Sequence, residues 1–325
     1  MQALFNQICH ALHLGEMTAD PVQLTGGYSH RMYALQTIRG RFAVKLLNPE
    51  VMQRADAADN YARAEAFEAL LENEGLPILP AKVIDGRKMH CVDGQYLYAF
   101  DYYGGRVLPD EAITAAHCAA MGDVLARIHA LASREADGEP EETIDWPPLV
   151  AALLRDPESR VHGAAMHRAL PLLIRITRAM VHAANRLPRR ESLCHNDMDA
   201  KNVLWQGSDY RIIDLECLGY ANAEQELMDL AISWAGYEPD EDRFKAFLNA
   251  YLAAGGCISA DPADLYDSRR NHLDWLAHNA RRALSPDPAE RRIGREQIDE
   301  TLDKLQSDQR RRARILAWMQ EVLAR

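Results

Sequence analysis

The stretch Cys194-His195-Asn196-Asp197-Met198-Asp199-Ala200-Lys201-Asn202-Val203-Leu204-Trp205 contains the pattern H-x-D-x-x-x-x-N. Arg211-Ile212-Ile213-Asp214-Leu215-Glu216 follows it. A carboxylate, a carboxamide and a second carboxylate at this spacing make a set of oxygen donors, which is what a hard cation such as Mg²⁺ takes as ligands. Phosphoryl transfer needs the same groups. One carboxylate orients a hydroxyl and accepts its proton, while a carboxamide and another carboxylate hold metal against phosphates. Asp, Asn and His in a turn also cap backbone groups, so each residue alone has a purely structural reading. The three in register point to chemistry.

Such groups work only if the chain returns them to one point. Asn202–Trp205 and Tyr210–Ile213 read as strands joined by Gln206-Gly207-Ser208-Asp209, a hairpin that ends in Asp214. Far upstream, the strand Phe42–Leu47 carries one charge, Lys45, on a face shared with Ala43 and Leu47. Its ammonium either runs along its stem to solvent or meets an anion. A strand from Arg31 to Thr37 precedes it, with Arg39-Gly40 as the turn. Val22–Thr25 leads into Gly26-Gly27 and Ser29. Paired glycines let backbone N–H groups approach phosphate oxygens, although two glycines also serve simply as a turn. A helix over 52–74 presents Glu65, Glu68 and Glu72 at i, i+3, i+7, which offers Lys45 a counter-ion. Strand-like runs follow at Ala81–Ile84 and Gln95–Asp101. Beyond Gly104-Gly105, helices are expected over 110–132, 146–155, 162–187 and most of 223–325. The expectation is an α+β chain, with a small strand-rich part over 1–103, a larger helical part over 104–325, and Tyr102–Gly105 as the joint.

With these motifs in view, the chain resembles the aminoglycoside phosphotransferase and choline kinase family, small-molecule kinases with a protein-kinase-like bilobal fold. H-N-D-M-D-A-K-N-V-L-W resembles the family's H-[GN]-D-x-x-x-x-N loop, I-I-D-L-E its metal segment and E-L-M-D-L-A its following helix. The likeness runs in order from Gly26 to the last helices. It implies Asp197 as catalytic base, and Asn202 and Asp214 as Mg²⁺ ligands. It also implies an ATP site formed by Gly26, Gly27, Ser29 and Lys45, with Glu65 (Glu68 as second choice) holding Lys45. Phe100 and Tyr102 stand at the segment whose backbone meets adenine. His195 is expected to brace the loop from beneath and Asp229 to hydrogen-bond it. Glu216 is expected to join the metal shell, face the substrate or simply be solvated. Asn196 stands where many relatives have glycine.

Composition sets the frame. The 325 residues carry 37 basic and 48 acidic side chains, a net charge of −11. That balance argues against nucleic acid, which needs clustered Lys and Arg. No apolar run approaches the ~18 residues of a membrane span, and the N-terminus lacks a basic signal region, so a cytoplasmic location is expected. Six cysteines without a C-x-x-C pair support neither a zinc ribbon nor a disulfide framework. No A-P-E-like motif follows Asp214, which disfavours a protein acceptor. The expected function is transfer of the ATP γ-phosphate to a hydroxyl of a small, cationic molecule. Glu216, Glu224, Glu226 and Asp229 suggest the positive charge and an aminoglycoside-like acceptor. Choline or another amino alcohol, homoserine, and a catalytically silent nucleotide-binding module are the alternatives. No local motif sets an oligomeric state.

Overall fold

The computed structural model describes residues 2–24, 30–136 and 143–324. Gly26, Gly27 and Ser29 of the glycine turn lie outside the described residues. Contacts divide the chain into two compact units. The first comprises Met1–Ile113, Ala130–Ala132 and Leu193–Ala221, and the second Thr114–His129, Ser133–Ser192 and Asn222–Arg325.

The first unit is built on a five-stranded antiparallel sheet. Its strands are β1 (Val22–Leu24), β2 (Arg31–Thr37), β3 (Gly40–Leu46), β4 (His90–Val92) and β5 (Gln95–Asp101), in the order β1-β2-β3-β5-β4. Helix α1 (Gln2–Ala11) covers one face, where Phe5 and Ile8 pack with Tyr33, Leu35, Val44, Leu97 and Ala99. The other face meets α3 (Ala57–Asn73) through Leu47, Tyr61, Ala81 and Tyr98. Both faces of the central strand β3 are therefore buried. Strand pleating sends Val44 and Leu46 toward α1 and Lys45 the opposite way.

The expected single helix over 52–74 is two, α2 (Pro49–Met52) and α3, separated by a turn. Ala81–Ile84 is not a strand. Only Ile84 bridges, to Arg87, because Pro77 and Pro80 remove amide donors from its approach. The segment is held by single bonds instead, such as Lys82 N–H to the Ala99 carbonyl at 2.8 Å. The hairpin after Asn202 forms as expected, from β8 (Val203–Gln206) and β9 (Asp209–Ile212). It is stitched to the same unit by Leu79 N–H to the Ile212 carbonyl, and by a reciprocal pair between Arg106 and Trp205.

The second unit is helical: α4 (Ala115–Leu131, whose last residues Ala130 and Leu131 belong to the first unit), α5 (Trp146–Arg155), α6 (Arg160–Ala184), α7 (Ala223–Ala235), α8 (Glu241–Ala253), α9 (Pro262–Asp267), α10 (Asn271–Arg282) and α11 (Pro288–Leu323). Two short strands missed by pattern, β6 (Ser133–Glu135) and β7 (Arg190–Cys194), pair antiparallel. Trp146, Leu153, Met166, Leu173, Leu276 and Ile298 anchor its core. Some helix crossings are too close for a side chain. A Cβ on Gly122 would stand 2.1 Å from the Phe247 carbonyl oxygen, and one on Gly294 would stand 2.4 Å from the Ala283 nitrogen. Among the described residues no helix is long and apolar enough to cross a membrane.

Candidate active site

The groups picked out from sequence come together inside the first unit, through backbone geometry that Asn and Asp tolerate better than most residues. Asn196 and Asp214 both have left-handed φ, +65° and +62°, a region where short polar side chains are enriched. At Asn196 the bend turns the chain into the loop, and its Nδ2 donates to the Cys217 carbonyl at 2.9 Å. At Asp214 the bend ends β9 and starts a 3₁₀ turn over Leu215–Cys217. That turn packs on α3, and Phe67 meets Tyr220 edge-on at 5.2 Å. The hairpin register then brings Asp214 back beside the loop, since Ile213 N–H donates to the Asn202 carbonyl at 2.9 Å.

Asp197 sits at the centre of the loop. One carboxylate oxygen meets Lys201 Nζ at 3.0 Å, and the other accepts from Asn202 Nδ2 at 2.9 Å. The same Nδ2 donates to the Asp197 carbonyl at 2.8 Å. Burial pushes the Asp197 carboxyl above its ordinary value, against the pull of Lys201. Lys201 lies within the motif at a variable position, so only its charge could have drawn attention to it.

Lys45 is 8% exposed. Its ammonium lies 2.6 Å from Asp214 Oδ1 and 2.5 Å from Glu216 Oε2. Burial disfavours its charge, but Glu216 and Asp214 outweigh that and raise its pKa. The expected pairing with Glu65 or Glu68 is not formed. Tyr98, the cross-strand neighbour of Lys45, donates its hydroxyl to Glu65 at 2.8 Å. Glu68 is buried against Lys88 at 2.7 Å and accepts the Ala81 amide. Glu216 also meets His30, with Nε2 3.1 Å from Oε1. Burial pushes the Glu216 carboxyl up, but the His30 hydrogen bond and the Lys45 charge prevail and hold it down at about 2. His30, directly after the glycine turn, carries no motif and was missed.

Two carboxylates around one ammonium leave an excess negative charge, as a cation site requires. Asn202 commits its Nδ2 to Asp197, which leaves its Oδ1 as a hard donor, on a residue whose carbonyl bonds the amide next to Asp214. These residues fit a Mg²⁺ ion. Phe100 lies on β5 opposite Ala43. The Tyr102 ring lies under the Arg41 guanidinium at 3.9 Å, and the Tyr102 amide donates to the Arg41 carbonyl.

The acidic residues that suggested a cationic acceptor are largely engaged. Glu224 accepts from the amides of Ser259 and Ala260 and from the Ser259 hydroxyl. Glu226 meets His129 Nε2 at 2.8 Å, and Glu216 is held as described.

A strand-rich unit carrying Lys45 and the loop–hairpin carboxylates, joined in one chain to a helical unit, defines an α+β kinase-like phosphotransferase. Residues 20–267 match the model of the Phosphotransferase enzyme family, and the chain belongs to that family. A homoserine kinase of Methylobacillus flagellatus is 29% identical over 252 residues, covering 74% of this chain and 72% of that protein. The fold is shared with solved structures at low identity. A spectinomycin phosphotransferase, determined with ADP and spectinomycin, superposes with a TM-score of 0.72 at 15% identity, over 93% of this chain and 98% of that one. A choline/ethanolamine kinase family protein from Mesorhizobium loti gives 0.59 at 16% identity, over 98% and 100%.

Proposed function

We propose that the protein transfers the γ-phosphoryl group of ATP to a hydroxyl of a small molecule bearing an amino group, of the homoserine type. The carrying observation is that Lys45, Asp197, Asn202, Asp214 and Glu216 converge in one compact unit. A silent nucleotide-binding module has no need to keep all of them. In this reading Lys45 leaves a carboxylate to neutralise the α- and β-phosphates, with Gly26, Gly27 and Ser29 as further phosphate-binding residues. Phe100 and Tyr102 border the adenine. Asn202 and Asp214 would hold Mg²⁺, which when bound supplies charge neutralisation at the phosphates. Asp197 orients the acceptor hydroxyl and takes its proton as the new O–P bond forms and the bond to the ADP oxygen breaks. Catalysis is then mostly positioning and electrostatics.

The acceptor reading rests on the similarity to a homoserine kinase. The test is ADP release with Mg-ATP across homoserine, amino alcohols, aminoglycosides and sugars. Acceleration by homoserine or a simple amino alcohol is expected. Acceleration by aminoglycosides alone would reassign the acceptor. Tight Mg-nucleotide binding with no acceptor-dependent turnover would leave the silent module.

A further inference from the structure

His30 follows Gly26-Gly27-Tyr28-Ser29 in the sequence; its side chain is 6% exposed and is held from two directions. Its Nδ1 accepts the Asn48 amide at 3.0 Å. A ring nitrogen that accepts an N–H carries no hydrogen, so the neutral ring bears its proton on Nε2. Nε2 lies 3.1 Å from Glu216 Oε1 and 3.3 Å from the Tyr61 hydroxyl of α3. His30 therefore joins the backbone at the start of α2 to a carboxylate beside the candidate metal ligands.

The two anchors of Glu216 differ in kind. Lys45 is a flexible stem, and in the proposed reaction its ammonium is needed on phosphate. The imidazole is rigid, is fixed to main chain at Asn48, and has no other task in the mechanism. Once Lys45 turns away, the bond from Nε2–H is what keeps Glu216 from following it or swinging free. We propose that His30 is a positioning residue that holds the Glu216 carboxylate in place for the metal–nucleotide complex. The inference deepens the phosphotransferase reading and rests on it. Partners that orient groups around a metal typically change its affinity 10–100-fold when lost.

Two substitutions separate the bonds. His30→Asn keeps an oxygen for the Asn48 amide and withdraws the donor from Glu216. His30→Gln places an amide N–H where Nε2 stood. Binding of the non-hydrolysable analogue AMP-PNP is titrated with Mg²⁺ by calorimetry. His30→Asn is expected to need about tenfold more Mg²⁺ for half-saturation, with His30→Gln within about threefold of the parent and metal-free AMP-PNP affinity unchanged in both. Imidazole ¹⁵N NMR of the unsubstituted chain gives a readout that survives if either variant fails to fold. An Nε2-protonated ring whose proton shift moves in Glu216→Gln is expected, and an Nδ1-protonated ring overturns the inference. Parental metal dependence in His30→Asn, or equal weakening in both variants, overturns it while the phosphotransferase reading stands. A parent that binds no Mg–AMP-PNP overturns both.

Discussion

In the proposed reaction Asp197 is the proton acceptor, and its partners in the structure are the Lys201 ammonium at 3.0 Å and the Asn202 amide. An interaction made with the acceptor hydroxyl belongs largely to the transition state, so its loss falls on kcat rather than on the KM for ATP. Asp197→Asn keeps the shape and removes the charge. It should lower kcat by about 10²–10⁴-fold, the usual worth of general-base assistance, with KM for ATP nearly unchanged. Steady-state kinetics on the identified acceptor decides the point, and turnover within a few fold of the parent would reduce Asp197 to a loop cap. At this scale the motif residues were legible because their spacing is local. His30 was not, since one imidazole after a glycine turn has no signature until Asn48 and Glu216 are folded against it.

Among the helices, α5 begins and ends where its apolar pattern does, whereas the pattern over 223–325 gives helix without its divisions, which the capping side chains of Asn222, Asp240 and Asp287 set at the starts of α7, α8 and α11. What holds those elements together was not readable, because the partners are distant. Asp308 of α11 lies 3.2 Å from Arg269, in the turn before α10, and 3.3 Å from His272. Burial pushes the Asp308 carboxyl up, but Arg269 and His272 prevail and hold it below its ordinary 3.8. A depressed carboxyl contributes stability that is present above its unfolded value and is lost as pH falls toward the folded one. Asp308→Asn removes the ion-pair partner of the buried Arg269 guanidinium and leaves it the more weakly acting Asp229, which costs up to about 3–5 kcal/mol at neutral pH. Denaturant unfolding of parent and variant should show that gap at pH 7 and a narrowing gap below pH ~4. A difference that does not change with pH would mean that shape, not charge, is what Asp308 supplies.

At the scale of the whole molecule, the compact unit that carries the site is discontinuous. Lys45 finds its carboxylates 169 and 171 residues along the chain. Sequence patterns place a lysine on a strand and a glutamate stripe on the next helix, and the family resemblance then favours Glu65. Only the folded sheet shows Tyr98 taking Glu65 and the hairpin delivering Asp214 and Glu216. This discontinuity has a consequence that can be measured. A ligand that binds the native state and bridges these groups suppresses the local openings that expose their amides. Mg–AMP-PNP should therefore slow hydrogen exchange in two separated stretches at once, around residues 31–47 on β2 and β3 and around 196–216 through the loop and hairpin. Chelation of Mg²⁺ should release the second stretch more than the first, because in the proposed reading the metal-holding Asn202 and Asp214 lie only there and Lys45 contacts phosphate without the metal. Exchange followed by mass spectrometry, with and without metal, reads both stretches in one experiment. Protection confined to 31–47, indifferent to chelation, would detach the carboxylates from the nucleotide and leave their convergence on Lys45 as an ion pair that serves the fold alone.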